Sequence, residues 1–468
     1  MNTLLLYYIQ ILYLGTFLSL GYLLLQPVNR VCVMEAKIIV PRKYPYVVLL
    51  YPVLKENFDT MKTTFLGLAK MEYPKNKFRV VAIPNENDSE TVASLKTLSK
   101  EFPFLEVMTI PPTSSPLWNV VWKAWDRNPG ATWWHKGKCK GNKNLPPKKT
   151  RQMIFAFYTL QRELKNNPEF GNWLLNYIDA DSVPCSKHFL AAVAGMRKYD
   201  VLQSTNIAGN LLQSYPASWC AFDHLNWDYN IYMHMSANGK HPFWVLGKGL
   251  FYKSNDIVQV GGFDPWVTIE DPDIGLRLWS QGKKLGIISE PLVEEVPITI
   301  GRCITQRKRW FCGFLQANFG QNKLKGMKFT DKFKAYINLV PVLSLLVNLI
   351  GLPIGLWTIY TVLFKGVRLP LGLTVISTFN IICYLLTMSI LYQSAWRNID
   401  QVVNSRYNKV RYMFRINPVF LYFYWVIWCI SMYIGLYMFL GDGGLLWQRT
   451  EKIDANHLLV RQKLSKMQ

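Results

Sequence analysis

Residues 1–29 contain no charged side chain, and their apolar run is long enough to cross a hydrocarbon core of ~30 Å. Three further stretches without a charged residue follow at 335–364, 369–396 and 416–441. A secretory signal has a basic start and a shorter apolar centre, so the first stretch is expected to be an uncleaved anchor. The simplest prediction is four membrane spans around one polar block, which excludes an entirely soluble protein.

Closely spaced cysteine pairs are also missing. The eight cysteines include no C-x-x-C, and Cys383 and Cys429 fall inside the apolar stretches. Disulfide frameworks and structural zinc sites both need cysteines at regular, close spacing. The sequence therefore predicts reduced thiols with a structural role.

Acidic residues are scarce, because 30 Asp and Glu stand against 53 Lys and Arg, for a net charge of +23. Basic residues follow the first apolar stretch and are frequent in 397–415. Basic loops tend to stay in the cytosol, which places the polar block from about 30 to 330 there. The charge then reflects topology and attraction to anionic lipid. Nucleic-acid binding is the alternative, but zinc-finger and RNP-like motifs are missing, so no nucleic-acid partner is expected.

The polar block has neither a G-x-G-x-x-G turn nor a Walker loop, so carboxylates and a metal would have to hold a nucleotide. Short apolar runs predict strands at 44–53, 77–84, 104–110 and 172–181. Segments with helical spacing at 57–71 and 151–166 separate some of these strands. This alternation predicts an α/β fold with a mostly parallel sheet. In such sheets ligands bind at the carboxyl ends of the strands.

Carboxylates cluster after three of these strands. Glu56 follows the first strand, Glu86 and Asp88 follow the second, and Asp179 and Asp181 follow the fourth. The last two form a D-x-D in an extended segment, where alternate side chains face the same way and can reach one Mg²⁺ or Mn²⁺. A solvated turn is the alternative, but the position after an apolar strand favours a metal that also binds nucleotide phosphates.

Two further segments mix charge with apolar residues. "VTIEDPDIGLRL" places Glu270, Asp271 and Asp273 in an apolar run, although carboxylates are seldom buried without a partner. "PITIGRCITQRKRWFCGFLQ" (297–316) has the spacing of a helix lying in the membrane interface. The basic segment 132–151, with seven Lys and Arg and no acid, is either a solvated loop or a flap over a pyrophosphate.

Taken in order, six motifs lie between the apolar stretches: "PVLKEN" (52–57), "NENDSET" (85–91), "KKTR" (148–151), "DADS" (179–182), "GGFDPW" with "IEDPDIGLRL" (261–278), and "QRKRW" (306–310). This order resembles the processive family two glycosyltransferases, the membrane synthases of cellulose, chitin, hyaluronan and related β-glycans. The resemblance implies a GT-A fold, meaning an α/β nucleotide-sugar domain on an α-helical transmembrane bundle.

The resemblance also implies a role for individual residues. Those expected to bind the nucleotide sugar are Glu56, Glu86, Asp88, Lys149, Asp179 and Arg309, with Asp179 and Asp181 on the metal. Asp271 is the expected general base beside Glu270, and one positioned carboxylate can supply ~10²- to 10⁴-fold by taking the acceptor's proton. Trp310 is the expected platform for the acceptor sugar, with Gln306 beside it, because an aromatic face covers the C–H surface of a pyranose. Asp273 is expected only to complement the helix dipole.

The expected function is inverting transfer of a hexose from a UDP- or GDP-linked donor to a growing β-linked polysaccharide, with coupled export as a further expectation. Single transfer to a lipid-linked or other small acceptor is the alternative within enzymes. An inactive synthase, a scaffold and a transporter are the alternatives outside them, although a transporter would place charged groups at the bilayer midplane. The expected location is a bacterial inner membrane, or a eukaryotic Golgi or plasma membrane, with the catalytic domain in the cytosol.

The expected division of the chain is an anchor at 1–29, a GT-A domain at 30–296, interfacial helices at 297–330, transmembrane helices at 331–441 and a tail at 442–468. In the tail, Trp447, Thr450 and Lys452 have the spacing of the gating loop of cellulose and hyaluronan synthases. A juxtamembrane tail is the alternative. Four spans would place this tail outside the cell, whereas a gating loop must be cytosolic, and the sequence leaves that conflict open.

Overall fold

The computed structural model describes residues 3–28, 30–31, 44–166, 170, 172–236, 239–320, 327–343, 345–403 and 405–441. Its strands are β1 (Arg30–Val31), β2 (Val47–Pro52), β3 (Phe78–Ile83), β4 (Leu105–Val107), β5 (Leu174–Tyr177), β6 (Val201–Ala208), β7 (Leu250–Lys253) and β8 (Leu285–Glu294). They form one sheet in the order β1-β8-β6-β7-β5-β2-β3-β4. Every neighbouring pair is parallel except the two that involve β7. The predicted α/β class with a mostly parallel sheet is confirmed.

Helices cover both faces of this sheet. In the α/β part they are α1 (Thr3–Leu24), α2 (Phe58–Ala69), α3 (Ser89–Glu101), α4 (Asn119–Asp126), α5 (Thr132–His135), α6 (Lys149–Leu164), α7 (His188–Gly195), α8 (Tyr215–Asn226), α9 (Tyr232–Met235), α10 (Ser254–Gln259) and α11 (Asp271–Ser280), with α1 leading into it. A π-helical turn, Trp227–Ile231, joins α8 to α9.

The sheet is covered on both faces, and β2 shows this most clearly because it is buried at every position. Along β2, Val47 and Leu49 belong to one apolar cluster, whereas Val48 and Leu50 belong to the other. Side chains alternate across a strand, so the two clusters occupy opposite faces of the sheet. This continuous apolar pattern is typical of a parallel strand covered by helices on both faces.

The remaining helices are α12 (Ile300–Phe319), α13 (Phe329–Leu343), α14 (Leu345–Lys365), α15 (Leu371–Asn398), α16 (Arg406–Arg415) and α17 (Pro418–Leu440). Three described helices are long and apolar enough to cross a membrane: α1, α15 with its extension to Gln401, and α17. Within the stretch 335–364 the structure describes α13 and α14 on either side of residue 344, which lies outside the described residues, so the fourth span stays a prediction. Pro341 lies inside α13, and proline removes a helical hydrogen bond. Within α14, 349–365 is a shorter apolar helix.

Polar contacts fix these helices to one another and to the α/β domain. The Asn380 amide of α15 donates to Gln10 Oε1 of α1 at 2.7 Å. At the end of α1, the Tyr22 hydroxyl lies 2.6 Å from His241 Nε2. The indole N–H of Trp219, on α8, donates to the carbonyl of Arg415, on α16, at 2.9 Å. In the chain, α16 follows α15 and precedes α17. The end of α1 and the α16 segment therefore both lie against the α/β domain.

Candidate active site

A cavity of roughly 210 Å³ lies beyond the carboxyl ends of β2 and β5, where an α/β sheet is expected to bind its ligand. We call it the polar cavity. The residues that line it come from strands, from loops that follow or precede them, and from helices α6, α8, α11 and α12: Pro52, Val53, Leu54, Glu56, Lys148, Lys149, Thr150, Gln152, Asp179, Ala180, Asp181, Asn206, His224, Leu246, Gly247, Lys248, Thr268, Ile269, Glu270, Asp271, Glu294, Glu295, Gln306, Arg309 and Trp310.

The two acids Glu270 and Asp271 sit where α11 begins. Pro272 occupies the first turn of that helix, a position that tolerates its missing N–H. The Tyr177 hydroxyl, at the end of β5, donates a hydrogen bond to Asp271 Oδ1. The backbone of Gly247 passes so close that a Cβ built there would lie 2.6 Å from Asp271 Oδ2. The Asp271 carboxylate is thus held from two sides while it still reaches the cavity.

Lys149, the first residue of α6, connects the acids. Its ammonium lies 2.8 Å from Asp179 Oδ1 and 3.4 Å from Glu270 Oε1. It also lies 4.8 Å from the centre of the Tyr177 ring. Glu270 is 4% exposed and accepts a hydrogen bond of 3.1 Å from Thr150 Oγ1. The cation therefore links the D-x-D to the carboxylates of α11.

Burial and neighbouring charges shift the acid–base properties of this group. Burial, reinforced by the Glu270 charge, raises the pKa of Asp271 to about 8, although Lys149 and the Tyr177 hydrogen bond act in the opposite direction. Burial alone would lower the pKa of Lys149, but Asp179, Glu270 and Asp271 together raise it above its ordinary value. Asp271 can thus exchange a proton near neutral pH, as a general base must.

The D-x-D residues differ in their surroundings. Asp181 is 3% exposed, and its Oδ2 accepts the Glu295 N–H at 2.8 Å, whereas half of the Asp179 side chain is exposed. Nearby, Ser182 Oγ donates to Glu294 Oε1 at 2.7 Å. Burial, and then the charges of Asp181 and Asp179, raise the pKa of Glu294 to about 7. The charges of Asp179 and Asp181 therefore make ionisation of Glu294 unfavourable unless a cation binds nearby.

The carboxylate oxygens of Asp179 and Asp181 fit a hard divalent ion. Among the described residues, no group of three or more His, Cys, Asp and Glu is arranged to hold a metal. Mg²⁺ is commonly bound by one or two carboxylates together with substrate phosphates and water. Two carboxylates in one cavity are thus enough for a metal that arrives with a nucleotide diphosphate.

Gln306, Arg309 and Trp310 lie on α12, and all three line the polar cavity. Burial lowers the pKa of Arg309 to about 10, and the charges of Asp179 and Glu270 offset part of that effect. The Trp310 ring lies 5.7 Å from the ring of His224 on α8, at an angle of 34°. The helix predicted over 297–316 corresponds to α12, which brings a cation and an aromatic face to the cavity, and its location in the membrane interface stays a prediction.

Other sequence predictions fall outside this cavity. Glu86 is exposed, and Asp88 instead caps α3 and accepts the Lys55 N–H at 2.7 Å, so neither lines the cavity. Asp273 lies in the first turn of α11, as expected, and pairs with Arg277 at 2.8 Å. Nucleoside binding by Glu86 and Asp88 stays a prediction. The tail residues Trp447, Thr450 and Lys452 lie outside the described residues.

The basic segment 132–151 divides into parts with different roles. Trp133 and Trp134 are buried in α5, and the lysines from 136 to 143 are exposed, so the segment is not simply a solvated loop. Lys148 and Lys149 line the polar cavity. Burial lowers the pKa of Lys148 to about 8, with Asp264 and Glu270 acting against it. In the segment 132–151, which was proposed as a flap, only the end that carries Lys148 and Lys149 lines the polar cavity.

Sequence reasoning missed several residues that line or hold the site. Tyr177 reads as one more apolar residue of a strand, Thr150 lies in "KKTR" but was given no role there, and Glu294 belongs to no recognised motif. The sequence "GKG", with Gly247, carried a usable signal, since a glycine pair around a lysine marks a special turn. Gly247 indeed has a φ of +71°.

A second cavity of roughly 90 Å³ adjoins the first, and we call it the apolar cavity. Its lining is mainly aromatic and aliphatic: Asp223, His224, Trp227, Tyr232, Trp244, Val245, Leu246, Lys248, Ile269, Asp271, Pro272, Trp310, Phe314, Val342, Leu345 and Trp428. Asp271 and Trp310 belong to both cavities. Val342, Leu345 and Trp428 come from α13, α14 and α17, so the apolar cavity extends from the site to the apolar helices.

Comparisons with known proteins agree with this architecture. The sequence model of glycosyl transferase family group 2 matches residues 174–438. The solved mannosyltransferase PcManGT from Pyrobaculum calidifontis, in complex with GDP-Man and Mn²⁺, is similar over 93% of this chain and 99% of its own. The TM-score is 0.51 at 14% identity, a level that shows a shared fold. S. aureus TarS 1-349 matches over 88% of this chain and 95% of its own, with 11% identity and a TM-score of only 0.35. No curated protein sequence matches the chain.

Proposed function

The chain belongs to glycosyl transferase family group 2, and from that membership we propose that it is an inverting hexosyltransferase that uses a UDP- or GDP-linked sugar. The observation that carries the proposal is the Asp271 carboxyl, which lines the polar cavity with a pKa of about 8. It lies beside an acidic pair, Asp179 and Asp181, and a buried cation, Arg309, on the donor side.

In the proposed reaction the acceptor hydroxyl attacks the anomeric carbon of the donor, and its proton passes to Asp271. The new bond joins the acceptor oxygen to that carbon, while the bond from the same carbon to the diphosphate breaks. One base and one in-line displacement invert the configuration, so an α-linked donor gives a β-linked product. Lys149 and Arg309 place positive charge where the diphosphate accumulates negative charge, which favours its departure.

Asp179 and Asp181 would hold Mg²⁺ or Mn²⁺, and the bound ion would neutralise charge on the leaving diphosphate. The chain itself supplies the remaining contacts. Glu56 lines the donor side of the cavity and is a candidate nucleoside contact. Gln306 and Trp310 are proposed to bind the acceptor sugar, because the ring of Trp310 offers a flat apolar face to a pyranose.

The apolar cavity favours a lipid-linked acceptor. Its lining includes four tryptophans and few polar groups, and it leads from Asp271 toward α13, α14 and α17. A glycan of several sugars would bury hydroxyl groups there without partners, which costs free energy, whereas an apolar chain would not. The growing β-linked polysaccharide is the second candidate, favoured by Trp310, an aromatic platform at the mouth of the cavity. In both cases we propose an integral membrane protein with a cytosolic active site.

The test is product formation by the purified protein in lipid nanodiscs with Mn²⁺ and radiolabelled UDP- and GDP-sugars, GDP-mannose among them. Wild type is compared with Asp271→Asn and with Asp331→Asn, which removes a carboxylate of α13 that lines neither cavity. Transfer lost in Asp271→Asn and retained in Asp331→Asn supports the proposal. Label in a lipid-soluble product with one added sugar identifies the lipid-linked acceptor, and a high-mass β-linked product identifies the polymer. Incorporation that survives Asp271→Asn, or a product with α-linkages, contradicts it.

A further inference from the structure

Arg307 is fully buried, with 0% of its surface exposed, and the proposed reaction gives it no role. It lies on α12 directly after Gln306 and three residues before Trp310. A buried guanidinium is costly unless its charge and its N–H groups are matched by partners. The partners of Arg307 therefore indicate what this arrangement stabilises.

On the side facing the membrane helices, Arg307 joins a polar network. Its Nη2 lies 3.3 Å from Asp223 Oδ2 on α8 and donates to the Tyr424 hydroxyl on α17 at 2.9 Å. The same carboxylate oxygen accepts from the Tyr424 hydroxyl at 2.6 Å and from the Trp428 indole N–H at 3.1 Å. Asp223 is 2% exposed. The network thus joins α8, α12 and α17 inside the protein.

On the cavity side, Arg307 contacts both residues proposed to bind the acceptor. Its Nη1 donates to Gln306 Oε1. Its guanidinium carbon lies 4.3 Å from the centre of the Trp310 ring, within the range of a cation–π interaction. One buried cation therefore fixes the amide of Gln306 and one face of Trp310.

We propose that Arg307 is a positioning residue for the acceptor, which holds Gln306 and Trp310 in place and connects them through Asp223 and Tyr424 to α17. The inference rests on the proposed function, because the acceptor roles of Gln306 and Trp310 belong to it. The planar guanidinium can donate in several directions at once, whereas the ammonium of lysine is a compact point charge on a flexible stem. Arg307→Lys therefore keeps the charge but loses the geometry.

The experiment uses the full chain in lipid nanodiscs, with decyl β-D-glucoside and decyl β-D-mannoside as surrogate acceptors. For wild type and Arg307→Lys we measure the acceptor KM, the donor KM, and hydrolysis of the donor without acceptor. Arg307→Lys is expected to raise the acceptor KM about tenfold, while donor KM and hydrolysis stay within about twofold, because only acceptor contacts are lost. Lys308→Met, one residue along α12, is the control and should change none of them.

Tyr424→Phe provides a second variant that leaves the charge pair intact. It removes only a hydroxyl on α17, remote from the donor, and is expected to raise the acceptor KM about threefold by loosening Arg307. A melting temperature measured for each variant separates loss of folding from loss of positioning. If Arg307→Lys does not fold, the acceptor KM of Tyr424→Phe becomes the test of the inference.

Two results would overturn the inference: an acceptor KM that stays at the wild-type value in both variants, or equal loss of hydrolysis and transfer at an unchanged melting temperature. Failure of the proposed function is distinguishable from failure of this inference, because the wild-type protein would then neither transfer nor hydrolyse the donor sugar. In that case binding of the decyl glycosides, followed by tryptophan fluorescence, decides on Arg307. Binding about tenfold weaker in Arg307→Lys supports the inference, and equal binding contradicts it.

Discussion

The hydroxyl of Tyr177 donates a hydrogen bond to Oδ1 of Asp271, the carboxylate proposed as the general base. A hydrogen bond to the charged form of an acid favours that form, so this contact lowers the pKa that burial and Glu270 raise. Tyr177 comes from the end of β5, two residues before the D-x-D, and Asp271 comes from the start of α11. Strand β5 therefore leads into the donor-side acids Asp179 and Asp181 and also carries the hydroxyl that lowers the pKa of Asp271.

Replacing Tyr177 with Phe is expected to shift the pH dependence of transfer. Asp271 must be deprotonated to accept a proton, so activity should rise with pH and level off above its pKa, about 8 in the free enzyme. Without the hydroxyl the pKa rises further, and the rising limb of kcat/KM should move upward by about one to two pH units, since a hydrogen bond to a charged group is worth about 1.5–3 kcal/mol. The loss should be large at pH 7 and small only above about pH 10, where Asp271 is ionised in both proteins.

Tyr199→Phe is the matched control for Tyr177→Phe. Both tyrosines are buried, but Tyr199 lines neither cavity and is not among the groups that shift the pKa of Asp271. Its profile should keep the wild-type midpoint. A Tyr177→Phe profile that is lower at every pH, without a shifted midpoint, would show that the hydroxyl acts on folding or binding instead.

Asp271→Asn is expected to abolish transfer and to change how stability depends on pH. The pKa of Asp271 is about 8 in the folded protein, whereas its ordinary value is 3.8, so the folded state holds an extra proton between these pH values. The free energy of unfolding therefore falls as pH rises from about 4 to about 8, because ionisation of the buried carboxyl is unfavourable. Asparagine cannot ionise, so the variant should lose less stability over this range.

The measurement is the denaturant midpoint of wild type and Asp271→Asn in the same lipid at pH 5 and pH 8.5. The denaturant midpoint of Asp271→Asn, relative to that of wild type, should be higher at pH 8.5 than at pH 5. Asp331→Asn, at a half-buried surface residue of α13 that is paired with Lys334 at 3.8 Å, controls for a general effect of removing a carboxylate, because surface ion pairs contribute little. Parallel pH dependence in all three proteins would contradict the raised pKa.

The sequence predicted those parts of the site that lie in contiguous motifs. "DADS", "IEDPDIG" and "QRKRW" each follow from local spacing, and the sheet brings Asp179, Asp271 and Trp310 into one cavity. The first strands were predicted for the same reason, since buried parallel strands are continuously apolar. Here local pattern and tertiary structure point to the same answer.

Contacts between distant segments could not be predicted in this way. Nothing in "NYIDAD" distinguishes Tyr177 from a core residue until Asp271 is placed beside it. β6 contains the polar run "QSTN" and β8 contains "SEPLVE", so neither shows the apolar pattern of a buried strand. Some of these polar groups, such as Asn206 and Glu294, line the polar cavity instead of packing in the apolar core. The sequence pattern fails at these strands because the site is built from them.

Gly247→Ala tests how closely the backbone supports the base. A Cβ at this position would lie 2.6 Å from Asp271 Oδ2, so the carboxylate must move. A shift of about 1 Å in a reacting group can cost ~10²-fold, and we expect kcat to fall by one to two orders of magnitude, ~10- to 100-fold, with a small effect on the donor KM. The measurement is steady-state kinetics with varied donor.

The control for Gly247→Ala is Gly282→Ala. Gly282 has a φ of +76°, close to the +71° of Gly247, but a Cβ there meets nothing within 4 Å. Both variants therefore bear a similar backbone strain, whereas only one displaces Asp271. Equal losses of activity in the two variants would attribute the effect to strain rather than to contact with the base.

The D-x-D residues should contribute unequally to metal binding. The ammonium of Lys149 lies 2.8 Å from Asp179 Oδ1 and offsets the charge of that carboxylate, whereas Asp181 is 3% exposed, so water screens its charge poorly. Asp181→Asn should therefore weaken Mn²⁺ binding in the presence of GDP or UDP by ~10- to 100-fold, and Asp179→Asn by less. Electron paramagnetic resonance of free Mn²⁺ gives both affinities without requiring turnover. Glu101→Gln, at an exposed residue paired with Lys62, is the control. If Asp179→Asn lost more affinity than Asp181→Asn, Lys149 would have to move off Asp179 when the nucleotide binds, and the cation would then belong to the diphosphate rather than to the acid.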